Sequence, residues 1–302
     1  MRVLITGATG FLGRRLCERL RERGYEPFAL SRDLERALRL LSPMEVYRWS
    51  ADREPPREAL TGAETVVHLA GETIAGRWTP EKKRKIYESR VRGTRNLVTG
   101  LAQLREAERP RALISASAVG YYGDRGDELL AEDAPPGTGF LARVCQDWER
   151  EAQRAEELGL RVVCLRFGIV LGCDGGALPR MLLPFKLGLG GPLGSGRQWW
   201  SWVHIEDAVG LMAFALEHET LSGAVNAVAP EPVRQRDFAK TLGRVLRRPA
   251  VLPAPAFALK LALGEFAGEL LASTRAVPQK AQESGYRFRF PHLEEALRDL
   301  LG

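Results

Sequence analysis

Residues whose types and spacing could do chemistry gather at two places. The first is TGATGFLG at 6–13, where Gly7, Gly10 and Gly13 follow the apolar run Val3-Leu4-Ile5 and precede an arginine-rich helical pattern. Glycines at these spacings permit a tight turn, let an anion approach the main-chain N–H groups that open a helix, and let that helix pack closely on the strand before it. This is how a dinucleotide's pyrophosphate is held. The second is ISASAVGYYG at 114–123, which brings the hydroxyls of Ser117, Tyr121 and Tyr122 together. A serine can position a substrate oxygen. A phenol with an ordinary pKa of about 10 is a weak base at neutral pH but can still donate a proton.

The choice of dinucleotide falls on the second strand, about 20 residues after the turn. A carboxylate at its end would accept hydrogen bonds from a ribose, whereas a 2′-phosphate calls for a cation. Here the strand ends in Ser31-Arg32, which suits NADP(H). Asp33 follows at once and, shifted by one position, would serve NAD.

Alternating elements must position these groups. Strand-like runs at 2–6, 27–31, 65–71, 111–117 and 161–172 alternate with helical patterns at 10–23, 80–106 and 141–158. Strands separated by helices predict an α/β fold of the Rossmann type, a doubly wound parallel sheet covered on both faces. After Gly172 the texture changes to a glycine- and tryptophan-rich stretch and then to short, proline-punctuated helical segments. The expected organisation is a dinucleotide-binding domain at 1–175, to which a strand region at about 200–230 returns. A smaller, mostly helical lobe covers 176–302. The apolar stripe at 256–271 reads as core or dimer surface, so a homodimer is among the expectations.

Composition excludes several other functions. The net charge of +6 is carried mostly by arginines interleaved with glutamates, the pattern of solvated helix faces and not of a nucleic-acid surface. The run EKKRK at 81–85 reads the same way. Cys17, Cys145, Cys164 and Cys173 show neither metal spacing nor a disulfide framework, so no metal is expected and a reducing compartment is. No uncharged apolar run reaches the length of a membrane span, and the chain opens directly on a strand. The expectation is a cytoplasmic protein with no membrane and no nucleic-acid partner.

Taken together, TGATGFLG at 6–13, HLAGE at 68–72, SRVRGTRNLV at 89–98, ISASAVGYYG at 114–123 and WVHIEDAV at 202–209 resemble the extended short-chain dehydrogenase/reductase superfamily across nearly all of residues 1–230. Within it, RWTPEKKRKIYESRVRGT, MLLPFKLGLGGPLGSG and the tail SGYRFRFPHLEEALRDLL are similar to the epimerase-like, cell-division-inhibitor-like family, which carries a C-terminal domain of unknown function, here at about 248–302. The resemblance implies cofactor contacts from Gly7, Thr9, Gly10, Phe11 and Leu12 at the pyrophosphate. It implies Ser31 and Arg32 at the adenosine phosphate, and Ala70, Gly71 and Glu72 beside the ribose. Arg90 stands where many extended members have asparagine and would add a charge-assisted contact, or else be a surface arginine. Arg166 would face the cofactor or form a buried structural pair.

The chemistry departs from the superfamily. Its members use Tyr-x-x-x-Lys, whose lysine lowers the tyrosine pKa. Ser117 matches the supporting serine, but the dyad positions hold Phe140 and Val144. No lysine lies between Lys85 and Lys186, and no tyrosine between Tyr122 and Tyr286. Ser117 and Tyr121 are therefore the catalytic candidates, with aromatic packing as the alternative for Tyr121 and Tyr122. Where many nucleotide-sugar epimerases place an arginine, seven residues before the aspartate of VHIED, this chain has Trp200. Trp199, Trp200 and Trp202 would offer flat apolar surfaces to a substrate. For His204 and Asp207 the expected role is fixing the strand and helix by hydrogen bonds. Three functions follow: an NADP(H)-dependent oxidoreductase on a small carbonyl or alcohol, a non-catalytic NADP(H)-binding sensor, and a nucleotide-sugar epimerase.

Overall fold

The structure is a computed structural model that describes residues 1–302. Seven strands build its main sheet: β1 (Arg2–Thr6), β2 (Glu26–Ser31), β3 (Val46–Arg48), β4 (Thr65–His68), β5 (Ala112–Ala118), β6 (Arg161–Phe167) and β7 (Gly223–Ala227). They lie in the order β7-β6-β5-β4-β1-β2-β3, and every pairing is parallel. Parallel neighbours need crossovers, supplied by α1 (Phe11–Glu22), α2 (Leu34–Leu41), the helical stretch α3 (Pro80–Tyr87) to α4 (Gly93–Ala102), α5 (Phe140–Gln153) and α6 (Ile205–Glu217). The result is a Rossmann-type α/β fold.

Both sheet faces are buried, which is why the strands read as nearly continuous apolar runs. On one face Val3, Ile5, Val67, Ile114 and Val163 pack against Leu16 and Leu20 of α1 and Val209 and Met212 of α6. On the other, Leu4, Phe28, Val66, Leu113 and Val162 pack against Leu97 and Leu101 of α4. Adjacent residues of one strand thus feed opposite layers. The reversal of strand order at β1 opens a crevice at the carboxyl ends of β1 and β4, where ligands of such sheets bind.

Three elements differ from their sequence reading. The stretch 161–172 is two strands: Gly168 breaks β6, and Ile169–Leu171 leaves the main sheet to pair with Trp202–His204. The region read as one helix over 80–106 contains a π-helical turn at Glu88–Arg92 and ends as a helix at Ala102. β3 escaped notice because it is three residues long and lies at the sheet edge. The remainder of the chain forms a mostly helical lobe with its own core, in which Trp200, Trp202, Phe238, Phe290 and Leu297 meet.

Candidate functional site

The glycine turn has the geometry its spacing predicts. Gly7 sits at φ +72°, and a Cβ there would lie 2.8 Å from the Leu69 carbonyl carbon. A Cβ on Gly13 would lie 2.3 Å from the Gly7 oxygen, so α1 reaches the strand only because that residue is glycine. At Gly10 a Cβ would meet only the Gly7 oxygen, at 3.1 Å, with the remaining side open. Gly10 is the N-cap of α1, and after it Phe11, Leu12 and Gly13 present amides with no earlier helical turn to bond to. No acidic residue occupies the first turn of α1. Thr9 lies in the turn itself, whereas Phe11 leans away to fill the space beside Gly172, Gly175 and Gly176.

A buried polar line fixes the opposite wall. The Thr6 hydroxyl receives the Leu69 and Ala70 amides, each at 3.1 Å, and lies 2.7 Å from Nδ1 of His68. Nε2 of His68 is 2.9 Å from the Thr94 hydroxyl. His68 is fully buried beside Arg90, and burial first, then that charge, pushes its pKa down to about 4, so the ring is neutral. The Glu72 amide donates to Ser89 Oγ at 2.9 Å, and its carboxylate receives Lys82 Nζ at 2.8 Å. That pair holds the Glu72 carboxyl below its usual range. The sequence reading missed Thr6, His68 and Thr94 because their contacts span 26 to 62 residues. The one local signal was a histidine closing the short buried strand TVVH.

At the end of β2, the Ser31 hydroxyl donates to the Asp33 carbonyl at 3.0 Å. Asp33 caps α2, its Oδ1 accepting the Arg36 amide at 2.9 Å. Arg32 is exposed and makes no ion pair or hydrogen bond within the chain, although its charge helps to lower the Glu72 pKa.

Ser117, Tyr121, Tyr122 and Arg166 do come together, around a residue the sequence reading passed over. Ser117 Oγ donates to Glu149 Oε1 at 2.6 Å. Arg166 grips the same carboxylate with Nε on Oε1 and Nη2 on Oε2, both at 2.8 Å. Its Nη1 donates to the Tyr122 hydroxyl at 2.9 Å and to the Glu132 carbonyl at 3.1 Å. Of the two readings of Arg166, the buried pair is what the geometry displays, since every guanidinium nitrogen is taken by the protein. The Tyr122 hydroxyl donates onward to Asn226 Oδ1 at 2.8 Å, and burial pushes its pKa up to about 12, which makes it a structural phenol. Tyr121 differs. Its ring stacks 3.5 Å from the Arg166 guanidinium carbon, it is half-exposed, and its hydroxyl has no partner in the chain. Glu149 was legible in principle: Ala142, Cys145, Glu149 and Ala152 share the buried stripe of α5.

At the dyad positions, Phe140 packs edge-on against Trp78 with ring centroids 5.1 Å apart, and Val144 is buried. The tryptophan expectation needs correction. Trp200 and Trp202 are core residues, their indole N–H groups donating to the Leu270 and Glu231 carbonyls, because an indole with a satisfied N–H gains most from full burial. Only Trp199 reaches the surface, between Arg234 at 4.2 Å and Arg275 at 4.4 Å. His204 accepts the Glu206 amide, and Asp207 accepts the Arg289 and Phe290 amides, which pins the C-terminal segment to α6. No three metal-ligating side chains converge anywhere, and no helix is long and apolar enough to cross a membrane.

A seven-stranded parallel sheet with a glycine-lined turn at its reversal point defines a Rossmann-type dinucleotide-binding protein. The chain belongs to the family described as NAD dependent epimerase/dehydratase, whose profile matches residues 3–227. Residues 254–300 match a domain of unknown function, DUF1731. The chain is 41% identical over 302 residues to the epimerase family protein SDR39U1 homolog, chloroplastic, of Arabidopsis thaliana, covering all of this chain and 87% of that one. It is equally identical to the epimerase family protein YfhF of Bacillus subtilis, covering 98% of it. Among solved structures, human epimerase family protein SDR39U1 with NADPH superposes with a TM-score of 0.87 at 32% identity, over all of this chain and 99% of that one.

Proposed function

We propose that the protein is an NADP(H)-dependent oxidoreductase acting on a small, largely apolar or aromatic carbonyl or alcohol. The observation that carries this reading is the end of β2. Arg32 is a cation without a carboxylate, and Asp33, the acid that follows it, turns its carboxylate to α2, where Oδ1 accepts the Arg36 amide. The open side of Gly10 and the exposed amides of α1 fit a diphosphate, and the human relative solved with NADPH supports the same choice. Gly7, Thr9, Gly10, Phe11 and Leu12 form the turn that would hold it, Ser31 and Arg32 meet the 2′-phosphate, and Ala70, Gly71 and Glu72 border the sugar.

When bound, the reduced nicotinamide supplies a hydride. The chain's own part is to orient the substrate oxygen and to supply a proton. Ser117 gives its hydrogen to Glu149 and so presents lone pairs that can accept from a substrate hydroxyl. Tyr121, over the Arg166 cation with a free hydroxyl, is the group placed to donate the proton.

Titration with NADPH and NADH, followed by a screen of carbonyl compounds with NADPH, tests this. Wild type should bind NADPH more tightly, and Tyr121→Phe and Ser117→Ala should lose turnover while still binding cofactor. Equal affinity for NADH would remove the argument from Arg32. A second reading, a non-catalytic NADP(H)-binding sensor, is favoured by the closure of the Ser117–Glu149–Arg166 cluster. Tight NADPH binding without turnover across the screen would select it.

A further inference from the structure

The helix Ala256–Leu263 has the sequence AFALKLAL, apolar around its whole circumference apart from Lys260, and none of its residues is buried. A helix of that composition is ordinarily enclosed on all sides. The stripe at 256–271, read from the sequence as core or dimer surface, therefore divides. Ala267 of the next helix, Phe266–Leu271, is buried, whereas Phe257 is 73% and Leu261 75% exposed. Neighbouring segments extend the apolar surface. Residues 187–194 run beside 249–256, the Leu252 amide donating to the Gly190 carbonyl at 3.2 Å and the Ala254 amide to the Pro192 carbonyl at 2.8 Å. That pairing gathers the exposed Leu187, Leu189, Val251 and Leu252 in the strip that leads into the apolar helix.

The surroundings carry charge of one sign. No Asp or Glu lies between Asp174 and Glu206 or between Asp237 and Glu265, the two stretches that contribute all of these side chains. Lys186 precedes Leu187, Arg247 and Arg248 precede the 249–256 strip, and Lys260 precedes Leu261. All four cations are exposed and make no ion pair, whereas Lys83 and Arg244 nearby are paired with Glu265 and Glu294. A second copy of this chain is a poor occupant, because in a two-fold interface the patch meets itself and these cations would face one another. An anionic lipid surface suits both parts. The apolar side chains enter the acyl boundary, and the long basic stems carry their charges up to the headgroups.

We propose that this face, built from residues 187–189, 251–252 and the helix Ala256–Leu263, docks on an anionic phospholipid bilayer. The absence of a membrane partner expected from the sequence rested on the length of apolar runs, which measures spans, and this surface is assembled from segments far apart in the chain. The apolar helix is tied to the candidate site. Arg77 Nη1 donates to the Leu261 carbonyl at 2.9 Å, and Phe266 packs on Trp78 with ring centroids 5.6 Å apart, against which Phe140 also packs. Docking of this kind does not depend on which dinucleotide the protein holds or on turnover.

Co-sedimentation with vesicles of phosphatidylcholine alone, and of phosphatidylcholine and phosphatidylglycerol in equal parts, tests this. Wild type should bind the mixed vesicles about tenfold or more tightly than the neutral ones and lose that preference in high salt. Phe257→Asp and Leu261→Asp should each weaken binding to the mixed vesicles about tenfold or more. Arg248→Gln and Lys260→Gln should each weaken it about fivefold. Leu38→Asp, the same kind of change at an exposed leucine of α2, should alter nothing. Should Leu261→Asp fail to fold, the two Gln variants carry the same expectation. Wild type that ignores the mixed vesicles would overturn the proposal, as would binding equal for both vesicles or unchanged in Leu261→Asp. A dimer in lipid-free sedimentation that Leu261→Asp dissolves would overturn it as well, by assigning the face to a second copy.

Discussion

Arg90 and Arg166 are both drawn into the protein near the carboxyl ends of the strands, and they are solved in opposite ways. Arg166 meets a carboxylate through two hydrogen bonds, a phenol and a carbonyl, so its environment is complete without a ligand. Arg90 meets two carbonyls through one nitrogen and leaves the other two open. A buried charge that is paired holds a structure in register, while one left unpaired is tolerated where something else supplies the counter-charge. The molecule thus has a closed half, around Ser117, Glu149 and Arg166, and an open half, around Gly10, Arg32 and Arg90. On the closed half, the Tyr121 hydroxyl, over the Arg166 cation, is the one that no residue of the chain engages.

The sharpest way to break that comparison is to remove one partner of the closed cluster. Glu149→Gln or Arg166→Met should each cost about 3–5 kcal/mol in urea unfolding, because each leaves an uncompensated buried charge or donor. The double variant should cost clearly less than the sum. Arg90→Met, which strands no partner charge, should move the midpoint far less. Single variants in the cluster that barely shift the midpoint would show that the two arginines do not differ as described.

The open half should respond to acid through His68. Its folded pKa is lowered to about 4 from the ordinary 6.5, so on acidification the unfolded chain takes up the proton first. Stability is therefore full above about pH 6.5, falls as pH drops toward about 4, and changes no further from this group below that. The total loss is roughly 3 kcal/mol. Urea midpoints across this range for wild type and His68→Gln should give a difference that grows only within the window. A flat difference would mean that the Thr6–His68–Thr94 line does not hold the cradle.

How much of this was legible in the sequence follows from contact range. The glycine turn, the parallel sheet and the Ser31-Arg32 strand end are local patterns, since a turn's φ and a strand's apolar run are set by neighbouring residues. The absence of the Tyr-x-x-x-Lys dyad was equally plain, because Phe140 and Val144 cannot be mistaken for it. What sequence spacing could not supply were partners far apart in the chain: Glu149 for Ser117 across 32 residues, Asn226 for Tyr122 across 104. Trp200 and Trp202 misled for a related reason. An aromatic cluster looks the same in sequence whether it lines a cleft or fills a lobe, and what separates them is whether an indole N–H finds a backbone carbonyl.

The smallest effect separates the two residues at the end of β2. Asp33→Ala removes the side-chain acceptor for the Arg36 amide and should cost about 1 kcal/mol of stability, the usual value of a helix N-cap. It should leave the ratio of NADPH to NADH affinity unchanged, because the Asp33 carboxylate is turned to α2. Arg32→Ala should do the reverse, sparing stability and lowering the preference for NADPH about tenfold or more. If Asp33→Ala instead weakened NADH selectively, the aspartate would be serving a ribose. The open half would then be built for the unphosphorylated dinucleotide, with Arg32 an ordinary surface cation.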